Sequence, residues 1–441
     1  MKVYNKNIYN VFFIFLLSHL IIWTLVPSLT NNNLPLDTIE ALAWGSNLDW
    51  GYNKHPPGSA FFLEVFYQIF GSQDWAYYFL SQLFVVSTFY FVFKFSENIF
   101  KDKFLSLISV LLLDVIFFYN FTTPEFNVNV CQLPFWALVV FYSWKIYDVK
   151  EIKFLDCFLV SLFGAIGFLS KYLFAYLLLS ISIFFVYLIY IKKLKKFNFK
   201  YLIIIEIFLI LLVPHIIWLI ENNFVTFSYG MARTGIENLS FLSHIKFPII
   251  FIIKQIGILI PFILLTLLLV KKVKYKINFN DKKLLFLIFI NILPIILIFL
   301  TSLITGSKIR TMWMTPFYLF FGVLVVYLFQ SQINFKKIKI FFLSFLLLFF
   351  LSPTLYSYIS ISQKDKRTDY PGRLIAKKVQ ITWDQDFDED IQFVIGDEWK
   401  AGNLSYHLKS RPRWEGFIND EILDVAKEYL CIDDVCIGTY K

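Results

Sequence analysis

The sequence predicts a polytopic α-helical membrane protein of about eleven transmembrane helices that ends in a small extracytoplasmic α/β domain. Three observations carry that prediction. Apolar runs of roughly 20 residues recur along most of the chain, the length a ~30 Å hydrocarbon core demands. The lysines are gathered in short clusters between those runs, as in Lys192-Lys193-Leu194-Lys195-Lys196 and Lys271-Lys272-Val273-Lys274. From about Ile361 the composition changes, gaining Asp, Glu and Arg and losing the apolar runs.

Composition agrees. The 441 residues are 58% hydrophobic and only 17% charged, with a mean hydropathy of +0.64. A soluble chain of this length keeps roughly 25% charge. In a soluble protein the net charge of +9 would suggest nucleic acid, but these cations sit in loops between apolar runs, where anionic lipid holds them, and no nucleic-acid signal accompanies them.

The predicted spans, to about three residues at each end, begin with 8–27, 75–95, 104–120 and 130–146. They continue with 154–170, 172–191, 201–220 and 248–270, and close with 284–305, 312–330 and 339–358. The first run, Val11 to Val26, follows Lys2 and Lys6 as a signal peptide would. The stretch after it, Pro27-Ser28-Leu29-Thr30-Asn31, is a poor cleavage site, so the run is read as a spanning helix. With the N-terminus inside, this alternation puts about 22 cations on the cytoplasmic face. Among them are Lys94, Lys101, Lys103, Lys145, Lys150, Lys274, Lys276 and Lys282. About seven fall on the other face or near it: Lys54, Lys171, Arg233, Lys246, Lys254, Lys308 and Arg310. That is the direction of the positive-inside rule, and it predicts a cytoplasmic N-terminus and a C-terminus on the opposite face.

Residues 1–360 thus read as the membrane domain and 361–441 as the tail domain. The first outer loop, 28–74, holds an apolar stretch, Gly58 to Phe70, too short to span and expected to form an interfacial or re-entrant helix. The second, Glu221 to Phe247, is polar and aromatic. In the tail, Ile391-Gln392-Phe393-Val394-Ile395 reads as a strand and Glu421 to Tyr429 as a helix. Cys431 and Cys436 bracket a four-residue segment that suits a tight turn, leaving a disulfide and two buried thiols as alternatives. Cys131 and Cys157 read as packing residues.

Ionisable groups on the outer face are few, and the richest constellation is in the first loop. Asp37 and Glu40 are three residues apart and share a face if the stretch is helical. Lys54 and His55 follow, fixed by Pro56-Pro57. Carboxylate beside cation at a membrane surface suits transfer from a lipid phosphate, with the acid taking a hydroxyl proton and the cation steadying the departing phosphate. The plainer reading of the same residues is an amphipathic loop touching headgroups.

The acidic pair followed by Leu48-Asp49-Trp50-Gly51-Tyr52-Asn53-Lys54-His55-Pro56-Pro57 resembles the family 39 membrane glycosyltransferases of the C-type superfamily (GT-C). That family includes protein O-mannosyltransferases and the aminoarabinose transferase of lipid A. The likeness continues through Phe121-Thr122-Thr123-Pro124-Glu125-Phe126-Asn127 and Leu169-Ser170-Lys171-Tyr172. It recurs from Pro214 to Phe224 and in Lys308-Ile309-Arg310-Thr311-Met312-Trp313. The resemblance implies the GT-C fold, a polyprenyl-phosphate sugar as donor, and inverting transfer at the outer face to a glycolipid or protein acceptor. It makes Asp37 the general base with Glu40 in support. It places Lys54 and His55 near the donor phosphate, leaves Glu125 between a substrate contact and a structural role, and makes Lys171, Arg233 and Arg310 further phosphate or headgroup partners. The sequence departs from many relatives in separating Asp37 from Glu40 by two positions and in carrying Glu125 where Asp is frequent. Some relatives bind a divalent metal near the first loop, but no cluster here has metal spacing.

Other polar residues have bland readings. Asp114 is expected to bond a neighbouring helix, His215 to be a satisfied structural histidine, and Asp397-Glu398-Trp399 with His407 to be surface or acceptor-docking residues. The alternative function, a flippase of lipid-linked sugars, would show repeated halves and ionisable groups at mid-membrane. The sequence has no evident repeat, and its polar residues gather in the outer loops.

Overall fold

The apolar runs fold as helices close to their predicted positions. A computed structural model describes residues 2–149, 151–191, 198–235, 240–273, 278–417, 423–424 and 426–441, with backbone alone at 2–6. Lys150, Lys192, Lys193, Lys195, Lys196, Lys274, Lys276 and Glu421, all used in the expectations above, lie outside the described residues.

Helix α1 (Lys2–Thr30) is followed by two short helices, α2 (Leu36–Gly45) and α3 (Gly58–Phe70). The bundle continues with α4 (Asp74–Phe100), α5 (Lys103–Asp114), α6 (Val128–Cys131), α7 (Leu133–Asp148) and α8 (Phe154–Ser170). Then come α9 (Ala175–Tyr190), α10 (Lys200–Glu221), α11 (Val225–Thr234), α12 (Ser243–Leu269), α13 (Lys282–Thr305), α14 (Phe321–Phe329) and α15 (Ile338–Ser362).

Among the described residues, seven helices are long and apolar enough to cross a bilayer, or eight if the bent pair Thr311–Tyr318 and Phe321–Gln332 is one span. Eleven crossings were expected. The difference is one of length, since α5, α7 and α8 have only 12, 16 and 17 residues. At 1.5 Å per residue they reach roughly 18–26 Å, short of the ~30 Å core. Gly58–Phe70 forms a helix with the bounds read from the sequence.

Packing inside the bundle relies on small residues and on paired polar groups. A Cβ on Gly322 of α14 would lie 2.1 Å from the Ser109 carbonyl oxygen of α5, so only glycine admits that approach. His19 Nδ1 on α1 lies 3.0 Å from Asp114 Oδ1 on α5, and both side chains are buried. This is the helix-to-helix partner expected for Asp114.

The tail holds α16 (Gly372–Asp386), α17 (Lys400–His407) and four strands. The strands are β1 (Phe393–Ile395), β2 (Arg413–Trp414), β3 (Ala426–Ile432) and β4 (Val435–Tyr440), in the order β2-β1-β4-β3. The helix expected over Glu421–Tyr429 is a correction: Ala426 onward is strand β3. Ala426, Lys427 and Glu428 favour helix locally, but the Asp433-Asp434 turn brings β4 alongside and pairing decides the matter. In that register Cys431 faces Cys436, and the two form a disulfide. Cys131 and Cys157 are free and buried.

The tail is fastened to the first loop. Arg411 Nη2 donates to the Leu42 carbonyl at 2.6 Å and to Glu64 Oε2 at 2.7 Å. Trp414 N donates to Ser46 Oγ at 2.9 Å, and Asn47 Nδ2 donates to the Trp414 carbonyl. Gly402 of α17 sits against Ile39 and Ala43 of α2, where an added Cβ would find neighbours at 3.1–3.4 Å.

Candidate active site

Helix α2 is the platform. Pro35, extended at φ −61 and ψ 162, precedes its first turn, as suits a residue that lacks an N–H and cannot continue a helix backwards. Asp37 stands in that turn and Glu40 one turn on, so the predicted shared face exists. The free N–H of Asp37 donates to Glu125 Oε1 at 3.0 Å, placing a second carboxylate at the positive end of the helix.

Glu125 is held in turn by Asn127, whose Nδ2 is 3.4 Å from Oε2. Asn127 also caps α6, its Oδ1 accepting from the N–H groups of Asn129 and Val130 at 2.9 and 3.2 Å. Asn129 Oδ1 then accepts from Lys171 Nζ. Lys171 follows the end of α8, is 4% exposed and lies 5.4 Å over the Trp313 ring. These residues, distant in sequence, form one connected polar layer.

Burial and charge act on the layer in opposite senses. Burial raises Asp37 above the ordinary carboxylate range against the pull of Lys171, Lys54, Arg233 and Arg367. Burial, reinforced by the charge of Asp37, pushes Glu125 up to about 8, so at neutral pH this carboxyl carries a proton. Burial lowers Lys171 to about 7 although Asp37 opposes the change. His55 is pushed down to about 3 by burial and by Lys171, Lys54 and Arg233, which makes it a neutral imidazole. It is no phosphate cation; it can offer one N–H and one acceptor.

Lys54 Nζ is 3.0 Å from Glu40 Oε1 and 3.2 Å from Glu398 Oε2. Burial alone would lower it, yet the two carboxylates hold it above its ordinary value. Glu40 is raised by burial against the effect of Lys54. The expectation that Asp397-Glu398-Trp399 lies on the surface is therefore corrected for Glu398, which is 5% exposed and also accepts from Asn53 Nδ2 at 2.9 Å. His407 is partly buried beside Asn33 Oδ1, at 3.3 Å. The local sequence shows a carboxylate but not the chain reversal that returns it to the first loop.

A backing layer supports this segment. Trp218 Nε1 donates to Asp49 Oδ2 at 2.8 Å, and a Cβ on Gly51 would lie 2.2 Å from Trp218 Cε3. His215 Nδ1 meets the Trp50 carbonyl at 2.6 Å and its Nε2 meets Tyr172 Oη at 2.8 Å. A carbonyl only accepts, so Nδ1 carries the proton and Nε2 accepts from the tyrosine. His215 is the satisfied structural histidine expected.

Arg233 is exposed on α11 and within electrostatic reach of Asp37 and His55. Arg310 stands further out, lowered by burial and by the adjacent Arg233, with Tyr229 nearby. Beside Glu125 opens a cavity of about 370 Å³, lined among others by Thr122, Asn127, Asn129, Lys366 and Arg367. The sequence reading missed Lys366 and Arg367, which sit in an exposed charged stretch whose folding back is a tertiary event. Among the described residues, no three His, Cys, Asp or Glu side chains are grouped to hold a metal ion.

Residues 54–218 match the family model described as dolichyl-phosphate-mannose-protein mannosyltransferase. No curated protein matches the chain by sequence. Among solved structures it is similar to ArnT from Cupriavidus metallidurans bound to undecaprenyl phosphate, at TM-score 0.61 and 10% identity over 92% of this chain and 85% of that one. The chain therefore has the fold of ArnT and, across the segment from Lys54 to Trp218, is similar in sequence to the mannosyltransferase family.

Proposed function

We propose that the chain is a glycosyltransferase that moves one sugar from a polyprenyl-phosphate donor to an acceptor hydroxyl at the outer face of a bacterial inner membrane. The observation that carries this reading is the assembly of Asp37, Glu40, Lys54, Glu125 and Lys171 around the start of α2, beside a cavity open to a substrate. The match to a family whose donor is a lipid-phosphate sugar supports it. So does the likeness to a protein bound to undecaprenyl phosphate.

In the mechanism, the acceptor oxygen attacks the anomeric carbon as the bond from that carbon to the phosphate oxygen breaks. The sugar inverts, the polyprenyl phosphate leaves with the bonding electrons, and Asp37 takes the hydroxyl proton. Charge grows on the departing phosphate, so Lys54 and Lys171 matter most at that moment. Arg233 and Arg310 draw the anionic donor towards the mouth of the site. Protonated Glu125 and neutral His55 offer hydrogen bonds to sugar hydroxyls without adding charge.

In this reading residues 1–360 cross the membrane eleven times, the three short helices crossing where the protein thins the bilayer. Residues 361–441 then stand on the periplasmic side, where an oxidising compartment suits the Cys431–Cys436 disulfide. The acceptor in this reading is a glycolipid, lipid A or core oligosaccharide, in keeping with a tail of only about 80 residues.

Mass spectrometry of lipid A and core oligosaccharide from cells lacking the gene tests this. One sugar should vanish and return with the wild-type gene but not with Asp37→Asn. Unchanged glycolipids would remove the glycolipid acceptor, and full restoration by Asp37→Asn would remove Asp37 as base.

A further inference from the structure

Glu398 belongs to the tail, 345 positions from Asn53, yet it is more deeply enclosed than either of its partners in the first loop. Both carboxylate oxygens are committed, Oε1 to Asn53 Nδ2 at 2.9 Å and Oε2 to Lys54 Nζ at 3.2 Å. Lys54 Nζ thereby lies between two carboxylates on different elements, Glu40 on α2 and Glu398 just before α17. A lysine ammonium sits on a flexible four-carbon stem and by itself chooses no direction. A single partner leaves it free to swing about one contact, whereas two partners fix it on a line. Because buried carboxylates are costly unless paired, one that reaches across from a separate segment marks a place where the fold commits to holding that cation.

We propose that Glu398 is a positioning residue of the transfer reaction, holding the Lys54 ammonium at the spot where the leaving phosphate gains charge. The proposal rests on the glycosyl-transfer reading above and adds that the tail completes the site. Electrostatics alone predicts the opposite for ground-state binding: a carboxylate next to a phosphate site repels the ligand. Glu398 therefore gives up some affinity for the bound anion, and its benefit lies in the transition state.

The test uses the full chain, with undecaprenyl phosphomannose, a phosphodiester that lacks the leaving group's extra charge, as binding probe in nanodiscs and the sugar restored to glycolipid in deletion cells as the measure of transfer. Glu398→Gln keeps shape and hydrogen bonding, since Asn53 Oδ1 is buried without a partner among the described residues and an amide flip lets it accept from the new amide. Transfer should fall at least tenfold while the Kd for the phosphodiester stays within threefold of wild type or tightens. Glu398→Asp, which keeps the charge, should transfer at least threefold better than Glu398→Gln. Wild-type transfer by Glu398→Gln overturns the proposal, as does an Asp variant no better than Gln. Parallel loss of transfer and binding also overturns it, because that is what a purely structural contact gives. Lys54→Ala separates the two levels. If it abolishes transfer while Glu398→Gln does not, only the role of Glu398 fails; if it leaves both transfer and binding intact, the role of Lys54 in the reaction fails as well.

Discussion

Asp37 and Lys171 are displaced towards each other by the same burial, one upward and the other down to about 7. Activity that needs Asp37 deprotonated and Lys171 charged falls on both sides of a narrow window. Acidification protonates the base earlier than it would an ordinary carboxylate. Alkalinisation through about 7 discharges the lysine. Lys171→Arg should keep the charge and move the alkaline limb upward, which a pH series of transfer by the two proteins would show; an unmoved limb would assign it elsewhere. Asp37→Asn should lower transfer by about 10²–10⁴, the range for losing a general base, with undecaprenyl phosphate binding retained. Asp37, Glu40, Lys54 and Lys171 stood out in the sequence because charge is scarce in the segments around them, and the structure brings them together. His55 stands out in the sequence beside Lys54, but its neutrality was not legible there, since it comes from burial and then from the enclosing cations.

At the level of elements, the turn from Asp49 to Pro57 is packed and hydrogen-bonded onto α10. Its hold on α10 passes through Gly51, where any Cβ would overlap the Trp218 ring. Gly51→Ala should cost about 1–3 kcal/mol as an overpacked contact. It should also depress transfer, because the shift is carried into Lys54 three residues on. Thermal unfolding with a transfer assay checks both effects, and a wild-type melting curve would show that the ring gives way freely. The helices were legible because apolar length is a strong signal. Their ends were less so: α5 stops at Asp114, where the sequence alone continued to about residue 120. The strand β3 was illegible because Ala, Lys and Glu are helix formers and the partner that overrules them comes after them in the chain.

On the scale of the whole molecule, the tail and the membrane part share a buried ion pair. Glu64 and Arg411 have side chains only 7% and 12% exposed, and Arg411 also bonds the end of α2. Removing one partner of such a pair leaves the other charge enclosed. Arg411→Ala should therefore destabilise the chain by about 3–5 kcal/mol. Glu64→Gln combined with Arg411→Met should recover much of that loss. Unfolding of the wild type and the two variants in detergent decides it, and an Arg411→Ala protein as stable as wild type would show the tail to be loosely docked. No residue pattern announces this docking, because it depends on where the bundle brings the tail back.

The docking also has a consequence in time. Leu42 and Arg411 are separated by 369 positions. At roughly 5–20 residues per second of synthesis, the first loop emerges about 20–70 s before the segment that closes over it. During that interval Lys54 has only Glu40, and Glu64 has no arginine. A nascent chain that stalls within the bundle thus holds its first loop without the partners that Glu398 and Arg411 later bring to Lys54, Leu42 and Glu64.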